Sequence, residues 1–112
     1  VATAKALSEA GVPDSTARDR ALLREACMCV STRAARLSAV GVVSLDEQMA
    51  QTNGKRTIAV DGTVFECYPY FKERMEVGIT LLAGKAKARD LNLVLAKDGS
   101  GVGAAIIAAI SS

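Results

Sequence analysis

Between Leu91 and Ile110 an apolar run, Leu91-Asn92-Leu93-Val94-Leu95, is followed by Asp98-Gly99-Ser100-Gly101-Val102-Gly103 and then by a stretch rich in alanine and isoleucine. Read in order, these compositions predict a short buried strand, a glycine loop and an apolar helix over Ala104 to Ile110, and so commit this part of the chain to an α/β unit. Such a junction turns backbone N–H groups toward the positive end of a helix, where a phosphate is stabilised. It serves equally well to bring a helix of small residues close to a sheet, and the spacing fits both uses. Gly99, Gly101 and Ala104 satisfy a GxGxxA pattern. A dinucleotide site, however, needs an acidic residue about 20 positions further on, which the sequence does not reach. A Walker loop needs Lys followed by Ser or Thr, and Val102-Gly103 supplies neither.

The second β-prone region is Thr57-Ile58-Ala59-Val60, then Asp61-Gly62, then Thr63-Val64-Phe65-Glu66. An Asp-Gly pair between two such runs predicts a tight β-hairpin. A hydroxyl and a carboxylate at its tip can reach a ligand, although Asp-Gly-Thr is more often a plain turn. Pro69 opens the next expected helix, which runs through Met75, Ile79 and Leu82 to a stop at Gly84. Lys85, Lys87 and Arg89 suit a helix C-terminus, where cations face the negative end of the dipole.

Upstream, Ala2 to Ala10 reads as a short helix with Lys5 and Glu9 four apart, halted by Gly11 and Pro13. Asp14 and Ser15 are cap candidates for a long helix whose apolar face is expected along Leu23, Cys27, Val30, Ala34, Leu37 and Gly41, with Arg18, Arg24, Arg33 and Arg36 largely off it. Cys27 is therefore expected to be buried. Asn53-Gly54 punctuates the chain. The predicted order is a mainly helical arm over 1–54, then strand-strand-helix-strand-helix over 55–112.

With 112 residues, half of them hydrophobic, the chain is the size of one small domain or a piece of one. Its first residue, Val1, is not methionine and suggests a fragment or a processed product. It contains no histidine, which excludes Ser-His-Asp and Cys-His catalysis and every His-based metal site. Fourteen basic and 12 acidic residues are interspersed, so bulk charge argues against nucleic acid as a partner. Cys27, Cys29 and Cys67 match neither a disulfide framework nor a CxxC site and point to a reducing compartment, the cytoplasm. No uninterrupted apolar run of about 18 residues predicts a membrane span.

Val60-Asp61-Gly62-Thr63-Val64-Phe65-Glu66, Tyr68-Pro69 and Phe71, followed by Ala96-Lys97-Asp98-Gly99-Ser100-Gly101-Val102-Gly103-Ala104-Ala105, resemble the C-terminal end of a hexokinase. Arg20-Ala21-Leu22-Leu23-Arg24-Glu25, Val30-Ser31 and Arg33-Ala34-Ala35 with Leu37 resemble the long helix before that family's nucleotide-binding hairpin. The resemblance implies an actin-like ATPase, ribonuclease H-like fold, with residues 1–112 as the last part of its large domain. It further implies a parent that uses ATP with Mg²⁺ to phosphorylate the 6-hydroxyl of glucose or a related hexose, the first step of glycolysis. Alternatives are a non-catalytic, sugar-sensing relative and another actin-like ATPase. Carried over as nucleotide contacts are Gly62, Thr63, Val64, Phe65, Glu66, Gly99, Ser100 and Gly101. Val102 and Tyr68 depart from the pattern, since many members carry lysine and histidine there. The family's main phosphate loop, sugar segment and catalytic aspartate precede the matched region, so the resemblance assigns no catalytic residue and no metal ligand here. The expected partners are ATP, a hexose and the rest of the parent chain.

Overall fold

The structure, a computed structural model, describes residues 2–49 and 54–111. Seven elements follow one another: α1 (Ala2–Glu9), α2 (Ala17–Gln48), β1 (Arg56–Val60), α3 (Thr63–Cys67), α4 (Phe71–Asp90), β2 (Leu91–Leu95) and α5 (Gly99–Ser111). The chain divides into two compact units, residues 1–34 and 35–112.

In the first unit α1 ends where Gly11 takes a positive φ of 88°, as the glycine and proline predict. The start of α2 corrects the expected cap. Neither Asp14 nor Ser15 caps it; Thr16 Oγ1 accepts the Asp19 N–H at 3.2 Å, and Asp19 Oδ2 accepts the Thr16 N–H at 2.8 Å and the Thr16 hydroxyl at 2.7 Å. This reciprocal pair satisfies donors that a helix start otherwise leaves unpaired. Ser15 instead receives the Arg20 guanidinium on its carbonyl and hydroxyl. Cys27, together with Leu23 and Val30, is exposed, contrary to expectation.

The second unit is built on a two-stranded parallel sheet in the register Arg56↔Leu91 through Val60↔Leu95. Parallel neighbours require a crossover, and α3 and α4 provide it. The expected hairpin is absent: Thr63–Cys67 is helix, so the order after β1 is helix, helix, strand, helix. Gly62 departs from a hairpin turn with φ 149° and ψ 138°, which carries the chain away from β1. Phe65, buried on α3, then joins the core instead of facing a partner strand. Pro69 lies in the turn before α4 rather than at its first residue, with Tyr70 left-handed at φ 62° just before Phe71. Gly84 does interrupt the helix as expected, with φ 80° and ψ 162°, but helical structure resumes to Asp90.

The core comprises Ala35, Ala39, Val43, Phe65, Phe71, Met75, Ile79, Leu91 and Leu93. Within it α2 turns Ala35, Ala39 and Val43 inward while Leu37 stays 59% exposed, so the buried face is displaced from the expected line through Ala34, Leu37 and Gly41. Close packing explains the shift. A Cβ placed on Gly78 of α4 would stand 2.8 Å from Ala39 Cβ and 3.5 Å from Arg36 Cα. A crossing that tight admits alanine and glycine but not leucine.

Asp46, only 4% exposed, anchors the end of α2. Arg56 Nε lies 2.5 Å from its Oδ1, a contact not directed along the N–H, while Arg56 Nη2 donates to Oδ2 at 3.2 Å. Lys87 Nζ approaches Oδ2 at 3.2 Å and Glu47 at 3.8 Å. The basic run after Gly84 thus also neutralises a buried carboxylate. By length and composition α2 is long and apolar enough to cross a membrane, which the search for uninterrupted runs overlooks. In the second unit, however, its Ala35, Ala39 and Val43 pack in a protein core and its Asp46 in an ion cluster.

Candidate functional site

Parallel strands end on the same side of a sheet, and ligands of open α/β sheets gather at that C-terminal edge. Here the edge follows Val60 and Leu95, and the Ala96 N–H extends the ladder by donating to the Val60 carbonyl at 2.9 Å. Both motifs singled out in the sequence therefore leave the sheet side by side.

After β1, Asp61 and Gly62 lead into α3, whose first bond runs from the Glu66 N–H to the Gly62 carbonyl at 3.1 Å. After β2, Asp98 takes a left-handed φ of 53° and α5 begins at Gly99. The glycine stretch is thus the first turn of the helix, not a loop ahead of it as expected. Its Val102 N–H already donates to the Asp98 carbonyl at 3.0 Å. The two segments are joined by Asp61, whose Oδ2 accepts the Ser100 N–H at 3.4 Å and the Ser100 hydroxyl at 3.2 Å. A second link runs from Lys97 Nζ to Glu66 Oε1 at 3.4 Å.

Carboxylates stand beside two of these glycines. A Cβ on Gly101 would fall 2.5 Å from Asp98 Oδ1, and one on Gly99 would touch Asp61 Oδ2 at 3.4 Å. The helix start that the sequence offered to a phosphate is partly satisfied by the protein's own Asp61. Gly62 borders open space.

Of the predicted site residues, Gly62, Thr63, Val64, Glu66, Gly99, Ser100 and Gly101 are exposed at or near this edge. Phe65 is buried, and its ring belongs to the core. Beside the edge a hollow of about 360 Å³ is lined by Phe65, Glu66, Tyr68, Tyr70, Phe71 and Leu95, among others. Asp61, expected as a turn-tip carboxylate able to reach a ligand but not among the nucleotide contacts that the resemblance implies, instead ties the motifs together. Its signal was available as an acid at a strand end and a hydroxyl at a helix start, but nothing in the spacing pairs residues 39 positions apart.

The edge carries the carboxylates of Asp61, Glu66 and Asp98 against the ammonium of Lys97. Such a balance disfavours a polyanion. Among the described residues no three histidine, cysteine, aspartate or glutamate side chains cluster as metal donors.

A profile of the hexokinase family matches residues 1–110. The chain belongs to the hexokinase family. It is 38% identical over 108 residues to hexokinase-1 of Oryza sativa subsp. japonica, covering 91% of this chain and 22% of that protein. With hexokinase-1 of Saccharomyces cerevisiae the identity is 39% over 100 residues, covering 87% of this chain and 20% of the yeast protein. Hexokinase-1 of Schizosaccharomyces pombe is 36% identical over 98 residues, 88% of this chain and 20% of that protein. The chain spans about a fifth of the length of these relatives. The small sheet and the two motifs at its edge lie within the residues matched to the family.

Proposed function

We propose that this chain forms the adenosine side of the nucleotide site in a hexokinase whose parent transfers the γ-phosphoryl group of ATP to the 6-hydroxyl of glucose or a related hexose. The observation that carries this reading is the junction of the Asp61-Gly62-Thr63 and Asp98-Gly99-Ser100-Gly101 segments at one end of a parallel sheet. In this reading the sheet is part of a ribonuclease H-like domain completed by the rest of the parent.

The residues present fit the nucleoside end of ATP and not its phosphates. Thr63 and Ser100 offer hydroxyls to a ribose or base, Gly62 leaves room for close approach, and the adjoining hollow offers aromatic rings for stacking. ATP supplies the phosphoryl group, and this chain's part is to bind and orient the distant end of the molecule. Orientation matters because phosphoryl transfer depends chiefly on positioning and charge stabilisation. Mg²⁺ would be held by the phosphates of ATP and by residues elsewhere in the parent.

The test is Thr63→Ala in the full-length parent. Loss of a ligand hydrogen bond of about 0.5 to 1.5 kcal/mol raises the KM for ATP roughly two- to tenfold, with hexose affinity and thermal stability nearly unchanged. Steady-state kinetics in both substrates, with hexose binding measured in the absence of nucleotide, provides the check. Impaired hexose binding with unaltered ATP kinetics would remove this segment from the adenosine side.

A further inference from the structure

We propose that Asp61 is a positioning residue for the nucleotide site, acting through Ser100 to hold the start of α5 against the end of β1. The inference rests on the nucleotide reading above and assigns a role to a side chain that does not itself need to touch the ligand.

One oxygen of Asp61 receives both the backbone N–H and the hydroxyl of Ser100, at 3.4 and 3.2 Å. The carboxylate therefore sets the place of the helix start and the rotamer of its serine together. Its charge suits the task, because an anion at a helix N-terminus is held by the dipole as well as by hydrogen bonds. Gly99 lies directly alongside, where a Cβ would be in ordinary contact with Asp61 Oδ2 at 3.4 Å.

The exposed setting argues for positioning over stabilisation. Asp61 and Ser100 both lie at the surface, where water competes for the same groups and a hydrogen bond adds little to folding. Glu66 and Lys97 form a second surface contact between the same two segments. Two polar links thus join the two segments at the surface. Their joint effect is to fix the separation of the hydroxyls of Thr63 and Ser100. A ligand bridging the segments gains affinity when that separation is set before it binds.

The experiment compares Asp61→Ala, Asp61→Asn, Ser100→Ala and the Asp61→Ala/Ser100→Ala double variant in the full-length parent. Asp61→Ala is expected to raise the KM for ATP about fivefold, with kcat and the hexose KM changed less than twofold. Asp61→Asn keeps an acceptor oxygen and should recover most of that loss. Because both residues act through one contact, the double variant should be no worse than the weaker-binding single. A readout independent of activity is amide exchange of residues 99–103 without nucleotide, which should quicken in Asp61→Ala and return toward normal in Asp61→Asn. Unchanged exchange overturns the latch itself, and multiplicative KM effects overturn its action through Ser100. Faster exchange with an unchanged ATP KM, while Thr63→Ala still raises it, overturns the positioning role and leaves the nucleotide reading standing. If Thr63→Ala is silent as well, the nucleotide reading fails and this proposal with it.

Discussion

At the scale of single residues, the start of α2 shows how a side chain reads its surroundings. Hydrogen bonds from the Thr16 hydroxyl and backbone N–H hold the Asp19 carboxyl below the ordinary carboxylate range, with a smaller contribution from the Arg20 charge. A depressed value in the folded chain means that the cap stabilises fully above the unfolded pKa and is lost as pH falls through the folded one. Acidification below the usual carboxylate range should therefore fray the first turn of α2. The protection of the Asp19 amide, whose N–H is bonded to Thr16, should fall at acid pH when its exchange rate is compared with that of the unfolded chain at the same pH. In Asp19→Asn the pH dependence at this turn should disappear; its persistence would mean that another group controls the helix start.

Elements meet here by size more than by hydrophobicity. The small residues Ala35, Ala39 and Gly78 bring α2 and α4 together, whereas the larger Leu37 and Leu45 stay exposed. A side chain added at Gly78 meets Ala39, which has no flexible end to give way, so the helices must part. Gly78→Val is expected to destabilise the protein by about 1 to 3 kcal/mol, the usual cost of overpacking. Ala39→Gly in the same chain should recover part of the loss despite its own helix-propensity cost of about 1 kcal/mol. Chemical denaturation of the two variants and their combination checks this. Strictly additive effects would show that the residues do not press on each other. Asp46 follows a related logic by charge: Arg56 and Lys87 surround it, so the ends of α2 and α4 and the start of β1 are joined through one buried carboxylate.

At the scale of the molecule, the sheet has two strands among the described residues, and α5 shows its apolar residues to the outside, with Ile110 79% exposed. The chain spans about a fifth of the length of its hexokinase relatives. The isolated chain should show no hexose-dependent release of ADP. If a complete site held ATP at about −6 kcal/mol and this segment supplied half, its own dissociation constant would be weaker than roughly 1 mM. A coupled assay on the purified chain, beside the full-length parent, tests the first expectation and calorimetry the second. Turnover by the chain alone at the parent's rate would place the chemistry inside these residues.

The sequence alone was enough for α1, the existence of a long α2, the interruption at Gly84, the limits of β2 and membership of the hexokinase family. These depend on neighbours within a few residues, or on motifs that survive as strings. Tertiary structure decided the rest. Thr63–Cys67 has strand composition, yet it is helix because β1 pairs in parallel with β2, and Phe65 then finds the core from α3. The buried line of α2 moved to Ala35 and Ala39 because Gly78 approaches from a distant part of the chain. At the candidate site the glycines were legible, but that the Asp61 and Asp98 carboxylates stand beside Gly99 and Gly101 was not. Local pattern carries propensity and periodicity; which strand pairs with which, and which carboxylate meets which N–H, is settled only when residues far apart in sequence compete for the same space.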